Sequence, residues 1–364
     1  MIVVGAGLMG AAAAWSLTRR GRSVLVIEQF SPAHSNGSSH GSARIVRRAY
    51  SDPLYTQLTG QAFELWRELE QQSGAPILRM LGGVDFGADR HVARVVESLA
   101  ARGVAHEVLT AAAAELRWPG MRFSGTVVYH PQAGTMDAAV AVQSFTAEAV
   151  RRGAKVLYAT EAVRVLPGDD RAEVELDDGE RVDAGCVVVA AGAWTERLLR
   201  GPVRLPPLAV TQQQIFHFPR LVPDAEPWPS VIHEHGGAIY HLAGGTDGGP
   251  ADDRKVAEHR HGTPTTADAR SGRVDPESRA RVIEYVRRWL PGLDPEPGRE
   301  ATCLYTSTRS EDFIVDRVAS LVICSACSGH GAKFAPLVGE MAADLVTDPG
   351  GSRIPARFRL DSHR

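Results

Sequence analysis

Residues 1–28 read MIVVGAGLMGAAAAWSLTRRGRSVLVIE, and the order of textures within them decides the fold. Ile2, Val3 and Val4 make a short apolar run of the size of a buried strand. Gly5-Ala6-Gly7-Leu8-Met9-Gly10 follows, then an alanine-rich stretch of helical character that reaches Arg20. Gly21 interrupts it, and residues 23–27 form a second apolar run that ends on Glu28. Strand, glycine turn, helix, strand and acid is the order a dinucleotide requires. Gly5 permits the tight turn, Gly7 lets the backbone approach a pyrophosphate, and Gly10 lets the helix pack closely on the strand. The helix start presents unpaired N–H groups and a positive dipole end to the phosphates. Glu28, eighteen residues beyond Gly10, is placed to accept hydrogen bonds from a ribose 2′-hydroxyl and to repel a 2′-phosphate.

At 364 residues the chain exceeds one ordinary core, so two domains are expected. A hydrophobic fraction of 44% and a net charge of -3 describe a soluble globular protein with no bias toward nucleic acid or a membrane partner. No apolar run approaches the roughly eighteen residues of a membrane span. The apolar start has no basic leader and is itself the dinucleotide motif, so a cytoplasmic location is expected. The four cysteines, Cys186, Cys303, Cys324 and Cys327, are too few for a disulfide framework. Cys324 and Cys327 form a CxxC with no second ligand pair at metal spacing, so they are expected to be ordinary thiols. Of the 40 basic residues only Lys155, Lys255 and Lys333 are lysines. A lysine kept where arginine is otherwise used points to a need for a compact ammonium or a tunable pKa. Lys155 opens an apparent strand after Gly153 and reads as solvated, which leaves Lys255 and Lys333 as candidates.

Beyond Glu28, residues 31–42 form a polar loop of small residues, a natural place for groups that close over a cofactor. It leads into Ala43-Arg44-Ile45-Val46-Arg47-Arg48, where Arg44 and Arg47 either lie on a surface helix or point into the cofactor site. Residues 54–72 carry Leu58, Ala62, Leu65, Trp66 and Leu69 at helical spacing, which makes Trp66 a core residue. A strand is expected over 82–87, helices over 89–102 and 137–152, and a strand over 127–129 closed by 130–134. The segments 156–160, 163–166, 172–176 and 181–183 read as one small antiparallel set. Residues 186–191 form a buried-type strand ending in Ala190-Ala191-Gly192, a second close approach to the cofactor. The 205–300 block is rich in His, Gly and Pro and contains a helix over 275–290. His233 with His235, and His259 with His261, share strand faces, but without flanking acids or cysteines no metal is expected. The turn Ser328-Gly329-His330-Gly331 precedes a helix faced by Leu337, Val338, Met341 and Leu345, again an anion-facing helix start.

The glycine fingerprint does not by itself separate a nicotinamide from a flavin dinucleotide. Four further stretches, in order along the chain, carry a resemblance that does. They are Asn36-Gly37-Ser38 through Arg47, Lys255-Val256-Ala257-Glu258-His259, Cys303-Leu304-Tyr305-Thr306 with residues 312–316, and Ser328-Gly329-His330-Gly331 with Lys333-Phe334. With them the chain resembles the flavin-dependent amine oxidases of the D-amino acid oxidase superfamily, most closely the family of monomeric sarcosine oxidase and N-methyltryptophan oxidase, from Ile2 to about Leu345.

The resemblance implies a mixed α/β fold, in which a Rossmann-like FAD-binding domain (1–80, 141–205 and 301–364) is interleaved with an antiparallel-sheet substrate domain (81–140 and 206–300). It implies FAD, with Gly5, Gly7, Gly10 and Glu28 on its adenosine-diphosphate part, Gly329 and Gly331 also at the cofactor, and a thioether from Cys303 to the flavin 8α-methyl. Lys255 is implied to assist reaction with dioxygen, where a fixed cation meets developing negative charge. Arg47 and Lys333 are implied to bind the substrate carboxylate, which needs charge-assisted partners once buried. Arg44, His259, Tyr305 and His330 complete the polar shell, the histidines tuning charge states near working pH. The expected activity is oxidation of a secondary, N-methyl amino acid to an imine, with dioxygen reduced to hydrogen peroxide by a chain acting as a monomer. Ala43 replaces a usual threonine, His241 a usual tyrosine on the substrate side, and Cys327 and Ala332 usual aromatics. These departures extend the expectation to a cyclic imino acid resembling pipecolate or proline. A flavin-binding dehydrogenase-type subunit without oxidase activity is the alternative from another class.

Overall fold

The computed structural model describes residues 1–221, 227–348, 350 and 353–363. Its centre is a six-stranded sheet in the order Ile314–Val318, Leu321–Ser325, Val187–Val189, Ile2–Val4, Leu25–Ile27, Lys155–Leu157. All neighbours run parallel except the first pair, a hairpin at the edge. Strands such as Ile2–Val4 and Val187–Val189 are uniformly apolar because both faces are covered. The first helix, Leu8–Arg19, lies against Ala335–Thr347 so closely that a Cβ on Gly339 would stand 2.6 Å from the backbone of Ala12. The alanines of the first helix are what allow that approach.

Two expectations about this region are corrected. Lys155–Leu157 is not part of the small antiparallel set: it pairs parallel to Leu25–Ile27, because the helix Ala138–Arg151 forms a crossover that returns the chain in the same direction. Lys155 is exposed there, as expected. The remaining three segments, Ala162–Pro167, Ala172–Leu176 and Arg181–Ala184, do form an antiparallel sheet. Arg44–Arg47 is a strand and not a surface helix, and it pairs with Ala133–Met136, which is a strand in its own right after the turn at Pro131-Gln132.

The second large layer is a nine-stranded sheet, antiparallel except where Ser230–Glu234 runs parallel to Gly83–Gly87. Its far side is covered by the helix Pro276–Trp289, whose Val282 and Val286 meet Phe216, Phe218 and Val256. Asp275 caps that helix, accepting from Glu277 N at 3.1 Å, with Pro276 in the first turn. The near side faces the parallel sheet. Cross-strand register places His217 opposite Lys255, Lys255 opposite Leu242, and Tyr240 opposite both Ile232 and Ala257 on that side. Arg299–Ser307 pairs with Ala209–Phe218 along its whole length, so the expected domain boundary at 301 falls inside a strand of this sheet.

Trp66 is in the core, packed against Phe145. All four cysteines are free. Among the described residues no helix is long and apolar enough to cross a membrane, and no group of three or more His, Cys, Asp or Glu side chains is placed to hold a metal ion. His233 stacks on Phe86 at 3.9 Å and hydrogen-bonds Tyr285 at 3.1 Å, a packing role on the helix-covered side.

Candidate active site

The turn after the first strand places Gly5 at φ 98°, a conformation that side chains rarely adopt, and a Cβ there would meet Ala190 O at 2.6 Å. A Cβ on Gly10 would lie 1.8 Å from Gly5 O, so this glycine serves helix–strand packing and does not line the cavity. Gly7 faces Ser39, whose Oγ accepts from Leu8 N at 3.0 Å at the helix start. Glu28 is only 6% exposed; its Oε2 accepts from Ala6 N at 2.7 Å and its Oε1 from Phe30 N at 3.0 Å. The acid therefore buttresses the glycine turn while standing at the rim of a cavity of about 1050 Å³.

This cavity runs from Gly5, Gly7 and Glu28 past Ala190-Ala191-Gly192 to Lys255, Cys303 and Lys333. Its volume is at the upper end of ordinary ligand pockets, roughly 300–1,000 Å³, and suits an extended dinucleotide. The glycine cradle, the helix start behind it, the buried acid and a thiol at the far end together fit FAD.

At the far end, Lys255 is 2% exposed, and its Nζ donates to Ala43 O at 3.0 Å. Burial and the neighbouring Arg44 guanidinium push its pKa down to about 7. Arg44 also donates to Ser38 O at 3.3 Å and lies 3.7 Å from Cys303 Sγ. Burial alone would raise the Cys303 thiol, but Arg44, the His40 imidazole and Lys255 more than offset it and hold it down to about 6. Cys324, with no such neighbours, is pushed up to about 12 by burial.

A second group lies around the turn before the last helix. Gly329 has φ 71°, and a Cβ there would meet the Tyr305 ring at 2.6 Å and His259 at 2.8 Å, so glycine lets these two rings close on the turn. His330 Nε2 stands 3.1 Å from Glu311 O, which can only accept, so that nitrogen carries the proton and Nδ1 accepts from the Tyr50 hydroxyl at 3.2 Å. Burial, with Lys333 nearby, holds His330 neutral well below its usual range, and burial brings His259 down to about 4. Lys333 Nζ donates to His330 O at 2.8 Å, while its own carbonyl accepts from Trp66 Nε1 at 2.8 Å. Burial and Arg47 lower Lys333 well below the usual lysine range. Arg47 lies over the Tyr50 ring at 4.7 Å and donates to Asp85 at 2.7 Å.

The cavity thus brings together Arg44, Arg47, Lys255, His259, Cys303, Tyr305, His330 and Lys333 with Gly329 and Gly331. It excludes His241, which is corrected: at 1% exposure its Nδ1 accepts from Arg254 Nε at 3.0 Å on the helix-covered side of the sheet. Its neighbour Tyr240 lines the cavity beside Tyr305 instead, because a shift of one residue along a strand exchanges faces. A tyrosine is therefore present, and of the four departures named from the sequence Ala43, Cys327 and Ala332 line the cavity as small residues. Sequence reasoning missed Tyr50, Tyr240 and Asp85, and placed His40 only within the loop expected to close over a cofactor. Asp85 carried a signal of its own, a carboxylate between Val84 and Phe86 in an otherwise apolar strand.

A model of the FAD dependent oxidoreductase family matches residues 1–345. Monomeric sarcosine oxidase of Streptomyces avermitilis is 32% identical, over 95% of this chain and 93% of that protein. Peroxisomal sarcosine oxidase of Homo sapiens is 30% identical, over 99% of this chain and 95% of that protein. Among solved structures, NikD, described as an unusual amino acid oxidase essential for nikkomycin biosynthesis, superposes with a TM-score of 0.87 at 25% identity, over 99% of this chain and 96% of that one. With a dinucleotide cradle at one end of its cavity, buried cations at the other and this likeness along nearly its whole length, the chain belongs to the FAD-dependent oxidoreductases.

Proposed function

We propose that the protein is an FAD-dependent oxidase of a secondary, N-methyl amino acid of the sarcosine type, releasing hydrogen peroxide. The observation that carries this is the opening of Lys255 and of the cation pair Arg47 and Lys333 onto one cavity with the dinucleotide cradle. The names of the sarcosine oxidase relatives support the substrate class. The redox chemistry, two electrons out of the substrate's carbon–nitrogen unit and on to dioxygen, belongs to the bound flavin. Arg47 and Lys333 take the carboxylate. His259 and His330, held neutral, add no positive charge where the substrate nitrogen becomes cationic. Lys255 offers an ammonium to the negative charge that develops on dioxygen. Cys303, beside Arg44, would hold the flavin by a thioether to its 8α-methyl, an 8α C–H bond being lost and its two electrons passing into the flavin ring and on to dioxygen. Segments 1–80, 141–205 and 301–364 form the cofactor domain, which also reaches the substrate carboxylate through Arg47 and Lys333, and 81–140 with 206–300 form the substrate domain, the strand Arg299–Ser307 joining the two. The chain works as a cytoplasmic monomer.

A second substrate class, cyclic imino acids, is favoured by Ala43, Cys327 and Ala332, whose small side chains widen the lining. A panel of N-methyl and cyclic amino acids scored for peroxide decides between the two. Anaerobic flavin reduction followed by no reaction on admitting air would instead leave a dehydrogenase-type subunit. For the covalent bond, flavin that washes away completely after acid precipitation of loaded protein refutes attachment at Cys303.

A further inference from the structure

Behind Arg47, outside the cavity lining, lies a carboxylate with no assigned role. Asp85 is 1% exposed in the middle of Gly83–Gly87, between Val84 and Phe86. Its Oδ1 accepts from Arg47 Nη1 at 2.7 Å, with His91 Nε2 at 3.4 Å, and its Oδ2 meets no hydrogen-bond partner among the described residues. On the neighbouring strand His130, equally buried, meets no hydrogen-bond partner for its ring nitrogens among the described residues. Burial opposes the charge on Asp85, but Arg47, His91 and His130 together keep it below the ordinary carboxylate range. A carboxylate at such a position is expensive unless its partner needs it. Arg47 does: its guanidinium is a rigid fork of five donors on a long flexible stem, and one arm on Asp85 with the plane over Tyr50 leaves the other arm toward the cavity.

We propose that Asp85 is the positioning residue for substrate recognition: it grips one arm of the Arg47 guanidinium from behind, so that the other arm meets the substrate carboxylate already ordered. The Arg47–Asp85 pair is electrically balanced, and a carboxylate arriving beside Lys333 favours its ammonium form, which then serves as the counter-charge. Ordering before binding removes a cost that each substrate would otherwise bear. This rests on the assignment of Arg47 to the substrate carboxylate.

The test titrates holoenzyme with propionate, a carboxylate with no amine to oxidise, following flavin absorbance, alongside KM and kcat for an N-methyl amino acid. Asp85→Ala should raise the propionate Kd and the KM about tenfold or more while kcat at saturation stays within about threefold. Asp85→Asn, which keeps an oxygen to accept from Nη1, should remain within about threefold of the parent in all three. On an Arg47→Met background, Asp85→Leu should change nothing further. If Asp85→Ala does not fold, Asp85→Glu, which displaces the anchored arm by one methylene, should show the same KM-specific loss. Unchanged propionate affinity in the folded variant, or a full further loss on the Arg47→Met background, overturns the proposal. Arg47→Met alone that binds propionate as the parent does overturns the carboxylate assignment itself, and Asp85's role with it.

Discussion

Lys255→Met is the most exacting perturbation of the site. The ammonium is nearly enclosed, it donates to Ala43 O, and Arg44 is its neighbouring cation. A unit charge about 4 Å from charge building on dioxygen, at an effective dielectric constant near 20, contributes about 4 kcal/mol. That corresponds to about a thousandfold in rate, and Arg44, which remains, reduces the expected loss to about 10²–10³-fold. Methionine preserves length and apolar packing, so reduction by substrate should stay within about threefold. The assay is stopped-flow mixing of anaerobically reduced enzyme with oxygenated buffer, with the reductive half-reaction measured separately. The sign of the pH dependence follows from a lysine whose pKa lies at about 7. The ammonium is fully present below that value and lost above it, so the rate with dioxygen should fall as pH rises, whereas Lys255→Met should be flat. A neighbouring negative charge moves the decline to higher pH, never to lower. Equal losses in both half-reactions, or a variant retaining the parent's pH profile, would refute the role of Lys255 at dioxygen.

Other consequences are as direct. In flavin-free protein, iodoacetamide should alkylate Cys303 at a rate that is flat above about pH 7 and falls below about pH 6, with Cys324 inert; peptide mass spectrometry reads both, and a Cys303 profile rising up to pH 9 contradicts the Arg44 effect. Glu28→Ala strands the buried N–H groups of Ala6 and Phe30 and should cost about 1–3 kcal/mol of stability together with most flavin retention, measured by denaturant unfolding and by the flavin-to-protein absorbance ratio. Trp66→Phe, which keeps the packing against Phe145 but removes the donor to Lys333 O, should cost about 1 kcal/mol, against about 3–5 kcal/mol for Trp66→Ala. Similar costs for the two would show that the hydrogen bond, and not the ring, fixes this helix to the Lys333 turn.

Much of the frame was legible because it is local. Glycine at a turn, alanine along a helix and apolar triplets between them are short-range signals, and Ile2–Val4, Leu8–Arg19 and Leu25–Ile27 emerge where those signals place them. The helix Pro276–Trp289 is bounded by Asp275 and Pro276 at one end, again a matter of neighbours in sequence. Strand partners are different. Lys155–Leu157 joins the parallel sheet and Arg44–Arg47 pairs with Ala133–Met136 through contacts between segments far apart in the chain.

The same division runs through the cavity. The scarcity of lysine singled out Lys255 and Lys333 from the sequence, and the family resemblance carried by the motifs around it singled out Cys303. Which face of a strand a residue occupies is a matter of parity: Tyr240 and His241 are adjacent and chemically plausible alike, yet one lines the cavity and the other is bonded to Arg254 behind the sheet. Asp85 and Arg47 lie on strands of two different sheets and meet only because those sheets pack together. By itself the sequence determined the dinucleotide cradle and the residue types of the chemistry, because turns, helices and unusual ionisable groups are specified by near neighbours. The tertiary structure alone decided register and face, and with them the anchoring of Arg47, because pairing across a sheet joins residues whose separation along the chain carries no periodic signal.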